Sequence, residues 1–270
     1  MGDCTNESTK SEIQLAAARG MLAATGKSPR QIGLESRQTV LDWTYRWGYS
    51  SAMTIQLLLN RTSGGYGQKL ARQGWLIATK TVSGTPSAFF TLTEQGLQEA
   101  ERFSSALYRY PEADPYRVNQ LQIRHYLIAQ NATLNGLHAG SIARYETERM
   151  FALTGDKSGV KRPDIVWHTK AGLKIAVEIE LSAKWERTLD EFVLGIARAL
   201  QSTENKSTSY NRFAIISDSK AIIERYRAAM QPGTALSIWK KNQRQHWVIE
   251  KTVTVPDWLI AKIVFQLIGE

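Results

Sequence analysis

The first part of the chain shows two hydrophobic periods in succession. Between residues 36 and 74, apolar side chains recur every three or four positions, which predicts three successive helices. Residues 75–82 and 88–93 are rich in strand-forming residues, and the segment 83–87 between them favours a hairpin turn. A further helix is predicted from Thr93 to about Phe103. The residues expected to cap or close the first three helices are Ser36 and Gly48, Ser50 or Ser51, and Thr62 or Ser63 with Gly74.

Beyond residue 118, helices and strands alternate in the manner of an α/β domain. The pattern predicts a helix over 119–137, a strand or helix over 139–151, and two strands joined by a turn over 164–181. A strongly amphipathic helix over 188–200, a buried strand at 213–218 and a helix over 221–230 are expected next. A last helix is predicted over 256–268.

These patterns divide the chain into four segments. Residues 1–34 hold few large apolar side chains and are expected to form a flexible or helical N-terminal arm. Residues 35–105 form the first predicted domain. Two prolines in the polar stretch 106–117 indicate a linker, and residues 118–270 form the second domain. The predicted fold class is therefore mixed: α/β in the second domain and α+β overall.

The charge of the chain is positive and unevenly distributed. The formal net charge is +9, which favours a polyanionic partner. No acidic residue occurs between Asp42 and Glu94, although this window contains several basic ones. Those basic residues are Arg46, Arg61, Lys69, Arg72 and Lys80.

The composition restricts the class of protein. A hydrophobic content of 43% with 22% charged residues is typical of a soluble globular protein, and no apolar run is long enough to suggest membrane insertion. The polar start MGDCTNESTK lacks the pattern of a secretory signal, so a cytoplasmic location is expected. The lone Cys4 excludes an internal disulfide and a cysteine-rich zinc site.

Three short helices followed by a hairpin predict a winged helix-turn-helix domain that binds double-stranded DNA. Its third helix would present basic and polar side chains to the major groove, and the hairpin tip would reach an adjacent groove. The alternative is a winged helix that only docks other proteins, although the missing acidic residues weigh against it. The candidate DNA-binding residues are Arg61, Thr62, Ser63, Gln68, Lys69, Arg72 and Lys80.

Three carboxylates are expected to cluster in the second domain. Glu178 and Glu180 share one face of a strand because strand side chains alternate, and Asp164 begins the strand before it. Clustered carboxylates repel one another unless a hard cation such as Mg²⁺ or Mn²⁺ neutralises them. The same pair could instead be a solvated strand face, but Asp164 at matched hairpin distance favours the metal site.

The motif Pro163-Asp164, a hairpin, and Glu178-x-Glu180 resembles that of the PD-(D/E)XK nuclease superfamily. The resemblance implies a restriction-endonuclease-like core and metal-dependent cleavage of DNA. Glu180 stands where that superfamily usually has a catalytic lysine, and Lys184 is the candidate substitute. The resemblance also implies an acidic residue on the first core helix, for which Glu148 is the first candidate and Glu146 the second.

The order of motifs over most of the chain is similar to that of the replication-relaxation family and its MobC-type plasmid mobilisation relaxases. It includes the segment 124–127 (Arg-His-Tyr-Leu), then Glu-x-Glu, Arg-Pro-Asp and a second Glu-x-Glu. This resemblance implies nicking of one strand at a plasmid transfer origin, with relaxosome and coupling proteins as partners. Tyr145 is the best-placed tyrosine nucleophile if a covalent intermediate forms, and His125 is either catalytic or a structural helix histidine.

Two classes of function therefore stay open. The first is a metal-dependent, site- and strand-specific DNA endonuclease or relaxase. The second is a non-catalytic DNA-binding replication initiator or repressor whose nuclease-like domain has decayed, which the missing lysine would permit.

Overall fold

A computed structural model describes residues 15–16, 19–20, 22–108, 114–151, 162–201 and 209–268. The chain divides into two compact units, Met1–Val118 and Asn119–Glu270. Both helices and strands occur in each unit, so the fold is mixed α/β. The predicted arm over 1–34 and linker over 106–117 lie partly outside the described residues. None of the helices described is long and apolar enough to cross a membrane.

Among the described residues from Pro29 onward, the first unit contains four helices and a small antiparallel sheet. The strand order is β1-β3-β2, with β1 and β2 both antiparallel to β3. The two-residue strand β1 has no separate signal in the sequence. The elements are α1 (Pro29–Trp47), β1 (Ser50–Ser51), α2 (Ala52–Leu58), α3 (Tyr66–Arg72), β2 (Leu76–Lys80), β3 (Ala88–Leu92) and α4 (Glu94–Phe103).

The helix order of the first unit is as predicted, but two helix starts differ. Helix α1 begins at Pro29 instead of after Ser36, because Ser28 and Gln31 form a reciprocal capping box around Pro29.

Helix α3 begins at Tyr66, so the predicted opening at Thr62 or Ser63 is wrong. Gly65 has a φ of 90° immediately before α3, a left-handed conformation that ends the preceding turn. The predicted cap Ser51 is confirmed. Thr93, the predicted start of the next helix, is the N-cap of α4.

Gly96 in α4 lies against the backbone of the turn before β2. A Cβ at this position would lie 2.2 Å from the carbonyl oxygen of Trp75, which is not a flexible group. We expect Gly96→Ala to lower the free energy of unfolding by about 2 kcal/mol, although alanine is the better helix former. Gly33 in α1 has open space around its Cβ position, so Gly33→Ala is the matched control and should not destabilise.

Urea unfolding followed by tryptophan fluorescence measures both alanine variants. Equal midpoints for Gly96→Ala and the unmodified protein would contradict the close approach of α4 to Trp75.

The second unit is built on a five-stranded mixed sheet with strand order β10-β7-β6-β5-β4. Strands β4, β5 and β6 form an antiparallel meander, and β7 and β10 run parallel to β6. A separate antiparallel pair, β8 and β9, follows. The elements are α5 (Ile123–His138), β4 (Ile142–Thr147), α6 (Glu148–Phe151), β5 (Ile165–Thr169), β6 (Lys174–Ile179), α7 (Glu186–Leu200), β7 (Arg212–Ser217), α8 (Lys220–Ala229), β8 (Ala235–Lys241), β9 (Trp247–Thr254) and β10 (Ile263–Leu267).

Helices α7 and α8 pack on one face of this sheet and bury an apolar core. Phe192 and Ile196 of α7 join Tyr226 of α8 against sheet residues such as Phe213 and Ile215. On β5, Trp167 donates its indole N–H to the hydroxyl of Thr133 on α5 at 2.9 Å. Residues 176–179 of β6 are buried, so a polar side chain near the end of this strand is held in a defined place.

The predicted helix over 256–268 is wrong. The segment forms a single 3₁₀ turn at Ile260–Lys262 and then strand β10, which pairs with β7 in parallel. Ile263, Phe265 and Leu267 alternate along β10 and pack against the core formed with α7 and α8. A short apolar run carries no clear period, so helix and strand could not be separated from sequence there.

Candidate active site

The β5–β6 hairpin brings two predicted site residues side by side. Ile165 pairs with Val177 in the antiparallel register, so the next residue on each strand is Asp164 on one and Glu178 on the other. The backbone N–H of Asp164 donates to the carbonyl of Val177 at 3.0 Å. Glu178 lies in the parallel part of the sheet opposite Ile215 and is 4% exposed. The spacing between the Pro-Asp and Glu-x-Glu motifs is therefore the one that sets Asp164 opposite Glu178 in the hairpin.

Asp164 is fixed by two contacts to the same carboxylate oxygen. Its Oδ2 accepts the backbone N–H of Ile179 at 2.8 Å and lies 3.1 Å from Nε2 of His125 on α5. Among the described residues, none forms a hydrogen bond or an ion pair with Oδ1. One oxygen of Asp164 is thus used for positioning, and the other remains for a ligand.

His125 belongs to the site, although the sequence left its role open. Burial lowers the pKa of His125, but the hydrogen bond and charge of Asp164, together with the charge of Glu178, outweigh burial and raise it above its ordinary value. The imidazole is therefore a hydrogen-bond donor to Asp164 near neutral pH. Its position on the first turn of α5 results from the turn Gln120–Gln122 that precedes the helix.

Glu180 is engaged by two protein groups. Its Oε1 contacts Nζ of Lys184, and its Oε2 accepts the hydroxyl proton of Tyr226 at 2.9 Å. The Glu180 side chain is 4% exposed, whereas that of Lys184 is 32% exposed. Nζ of Lys184 also lies 4.6 Å from the ring centre of Phe192. The predicted metal ligand Glu180 thus serves in this structure as the anchor of Lys184.

Tyr226 is a site residue that the sequence did not indicate. Burial raises the pKa of its hydroxyl well above the ordinary value, and the charge of Glu180 raises it further. The phenol therefore stays protonated and donates to Glu180. Because Tyr226 lies on α8, 46 residues beyond Glu180, no local pattern connects the two.

Glu148 lies near the other site residues but on a different element from the one expected. It begins the one-turn helix α6 after β4, whereas the first core helix, α5, contains no acidic residue. Its Oε2 accepts the hydroxyl proton of Tyr126 at 2.6 Å. Glu148 thus lines the same cleft as the other candidates, and its predicted place on the first core helix is wrong.

The second candidate, Glu146, belongs to a different cluster. Its Oε1 lies 2.6 Å from Nε2 of the buried His168, whose Nδ1 lies 3.2 Å from the guanidinium of Arg144. Tyr145 pairs across the sheet with Trp167. Neither Glu146 nor Tyr145 is among the residues that line the cleft at the carboxyl end of β6.

A cleft of about 520 Å³ opens at the carboxyl end of β6. It gathers side chains from α5, α6, the start of β5 and the end of β6, where a buried sheet meets solvent. Four carboxylates and two basic side chains line it, together with a tyrosine. These residues are His125, Tyr126, Glu148, Asp164, Glu178, Glu180 and Lys184.

The donor chemistry of this cleft fits a hard divalent cation. Among the described residues, no group of three or more His, Cys, Asp or Glu side chains is arranged to hold a metal ion. Mg²⁺, however, is commonly held by only one or two carboxylates, with water and substrate phosphate completing its shell. Asp164 and Glu178, on adjacent strand positions, satisfy that smaller requirement, and Glu148 lines the same cleft.

The predicted DNA-binding residues of the first unit lie in three places. Gln68, Lys69 and Arg72 are exposed on α3, and Lys80 is exposed at the end of β2. Arg61, Thr62 and Ser63 lie in the turn before α3 instead of within it. The guanidinium of Arg61 lies 4.1 Å above the ring of Tyr66 and donates to the hydroxyl of Ser36 at 3.3 Å.

No protein-family model matches the chain, and no curated protein does either. Among solved structures, the chain is similar to one described as the structure of reduced AbfR bound to DNA, with 17% sequence identity and a TM-score of 0.23. The similarity covers 50% of this chain and 91% of that one. A TM-score at this level does not establish a shared fold.

Proposed function

We propose that this protein is a metal-dependent DNA endonuclease that nicks one strand of a duplex. The observation that carries the proposal is the cleft at the end of β6, where Asp164, Glu178 and Glu148 lie with Lys184. Carboxylates that can hold a hard cation, beside a lysine, are the side chains needed for hydrolysis of a phosphodiester.

The topology of each unit supports the proposal. In the second unit, Asp164 precedes β5 and Glu178 ends β6 of an antiparallel meander extended by parallel strands. We therefore propose a restriction-endonuclease-like core for this unit. In the first unit, three helices precede the β2–β3 hairpin, and α3 exposes basic residues. We propose that it is a winged helix that binds double-stranded DNA.

Within the proposed site, Asp164 and Glu178 would hold the cation, with Glu148 beside them. When bound, Mg²⁺ or Mn²⁺ would stabilise charge on the phosphoryl oxygens and make a water molecule more acidic. His125 holds Oδ2 of Asp164, so the carboxylate keeps one orientation. Glu178 is buried near the end of β6, so the surrounding sheet restricts the position of its carboxylate.

Lys184 takes the place of the missing strand lysine in this proposal. Glu180 and the ring of Phe192 hold its Nζ at the edge of the cleft. From there the ammonium can donate a hydrogen bond to a phosphate oxygen or a proton to the leaving oxygen. Glu180 is then a positioning residue for Lys184, and Tyr226 positions Glu180.

We further propose that the DNA substrate is a plasmid transfer origin and that relaxosome and coupling proteins are partners. This extension rests on the resemblance of the motif order to the replication-relaxation family. Nicking by the cleft residues does not depend on it.

A non-catalytic DNA-binding initiator or repressor is the second candidate function. The contacts of Glu180 favour it, because a carboxylate bound by Lys184 and Tyr226 forms a closed network that needs no metal. In that case the cleft would have no catalytic function, and the protein would act only by binding DNA through the first unit.

Conversion of supercoiled plasmid distinguishes the two candidates. The full chain is incubated with plasmid carrying the candidate origin and Mg²⁺ or Mn²⁺, with EDTA as the metal-free control. Nicking predicts open-circular product that requires the metal and, for water attack, leaves no protein on the DNA. Retention of the plasmid in its supercoiled form with every metal, while the duplex is still bound, would establish the second candidate instead.

Removal of two cations from α3 tests the DNA-binding surface. We expect the double variant Lys69→Ala/Arg72→Ala to bind duplex DNA more weakly and to reduce the slope of log affinity against log salt by about 2. Fluorescence anisotropy over a salt series measures both quantities. The control is Arg102→Ala/Arg117→Ala, which removes two exposed cations of the same unit that are paired with Glu99 and Asp114. An unchanged slope would move the DNA surface away from α3.

A further inference from the structure

A second cleft, of about 410 Å³, lies between α1 and α3 in the first unit. Arg30 and Arg37 of α1 line one side, and Tyr66 and Lys69 of α3 line the other. All of its lining residues are described, and none of them is acidic. Arg30 and Arg37 are seven residues apart, so they project from the same face of α1.

Neither arginine of this cleft has a counter-ion among the residues that the structure describes. Within the described part of the chain, neither Arg30 nor Arg37 makes an ion pair or a hydrogen bond. The guanidinium of Arg37 is stacked 4.4 Å above the ring of Trp75, and its Nε is buried with no acceptor. A buried donor without an acceptor is costly, and an anion in the cleft would offset that cost by pairing with the Arg37 guanidinium.

The surroundings add positive potential and hold the cleft open. The guanidinium of Arg61 lies 4.1 Å above the ring of Tyr66, and Arg37 lines the same cleft as Tyr66. The hydroxyl is fixed on the carbonyl of Gly33 at 3.3 Å. Gly33 also lines the cleft and has nothing within 4 Å of its Cβ position, so there is space for a side chain at this point.

We propose that this cleft is a phosphate-binding site in which Arg30 and Arg37 clamp one phosphate group beside α3. The ligand chemistry is a phosphate ester, either a backbone phosphodiester of the bound duplex or the phosphate of a free nucleotide. The duplex source rests on the proposed DNA binding of the first unit, whereas the site itself does not.

Two measurements on the full chain test the site. The first is duplex affinity over a salt series for Arg30→Gln/Arg37→Gln, with Arg102→Gln/Arg117→Gln as the control of equal charge. A clamped backbone phosphate predicts a slope lower by about 1 in the clamp variant and unchanged in the control. The second is calorimetric binding of pyrophosphate and of ATP, probes that require neither DNA binding nor nicking.

A second pair of variants excludes the possibility that loss of the arginines only disturbs α1. Gly33→Glu places a carboxylate four residues before Arg37, where it should pair with the arginines in place of a bound phosphate. Gly33→Gln adds similar bulk without charge. We expect Gly33→Glu to reproduce the loss and Gly33→Gln to leave binding intact.

The pattern of results identifies the phosphate source. A lower salt slope with weak pyrophosphate and ATP binding indicates the DNA backbone. Tight binding of pyrophosphate or ATP that is lost in the clamp variant indicates a free phosphate ester, even if no DNA is bound. An unchanged salt slope together with no loss of anion binding in either Arg30→Gln/Arg37→Gln or Gly33→Glu would overturn the proposal.

Discussion

Asp164→Asn is expected to slow plasmid nicking at least about a thousandfold and to leave the affinity for duplex DNA unchanged. The expected loss corresponds to about 4 kcal/mol of transition-state stabilisation. Asparagine still offers an oxygen to the backbone N–H of Ile179, which Oδ2 accepts at 2.8 Å, so the hairpin end keeps its hydrogen bond. What is lost is the negative charge next to Glu178.

The nicking experiment compares Asp164→Asn with Glu224→Gln, an exposed carboxylate on α8 whose partner is Arg227. Initial rates of open-circle formation are measured over a Mn²⁺ series, and duplex binding is measured by anisotropy on the same samples. Loss of nicking only in Asp164→Asn, with binding intact in both, is the expected outcome. If Asp164→Asn nicks as fast as the unmodified protein, the cleft is not the active site.

The parts of the site that sequence could predict are those set by local geometry. Asp164 and Glu178 are joined by one hairpin, and strand alternation with a short turn determines which residues face each other. The exposed basic residues of α3 could also be predicted from sequence, because the hydrophobic period of a helix indicates which of its side chains face solvent. In both cases fewer than about 20 residues decide the arrangement.

The parts that sequence could not predict depend on contacts between distant segments. Tyr226 reaches Glu180 from α8, and His125 reaches Asp164 from α5, so both contacts require the packing of helices on the sheet. The same limit applies to the last strand. The apolar run at 263–267 forms β10 by pairing with the edge of β7. The local strand propensity of a segment does not indicate which strand edge is available to pair with it.

The start of α1 illustrates a competition between local signals. Ser36 and Ser28 are both acceptable N-cap residues, but only Ser28 is followed by Pro29 and by a glutamine that completes the capping box. The extra helical turns carry Arg30 beside α3. The earlier helix start therefore brings Arg30 to the proposed phosphate-binding cleft, where it lies with Lys69, one of the candidate DNA-binding residues.

Lys184→Met is expected to lower the free energy of unfolding by about 2–3 kcal/mol, because it leaves the buried carboxylate of Glu180 without its counter-ion. The value lies at the low end for a broken buried pair, since Lys184 is partly exposed to solvent. Tyr226 still donates to Glu180 in this variant, but one neutral hydrogen bond does not replace an ammonium.

The double variant Lys184→Met/Glu180→Gln separates the stability effect from the chemistry. Glutamine removes the buried charge and can still accept the hydroxyl proton of Tyr226, so urea unfolding should return most of the lost stability. If Lys184 provides the ammonium for cleavage, the restored protein remains unable to nick plasmid at the normal rate. Recovery of full nicking together with stability would show that Lys184 only neutralises Glu180, and the source of the missing lysine function would then lie elsewhere in the cleft.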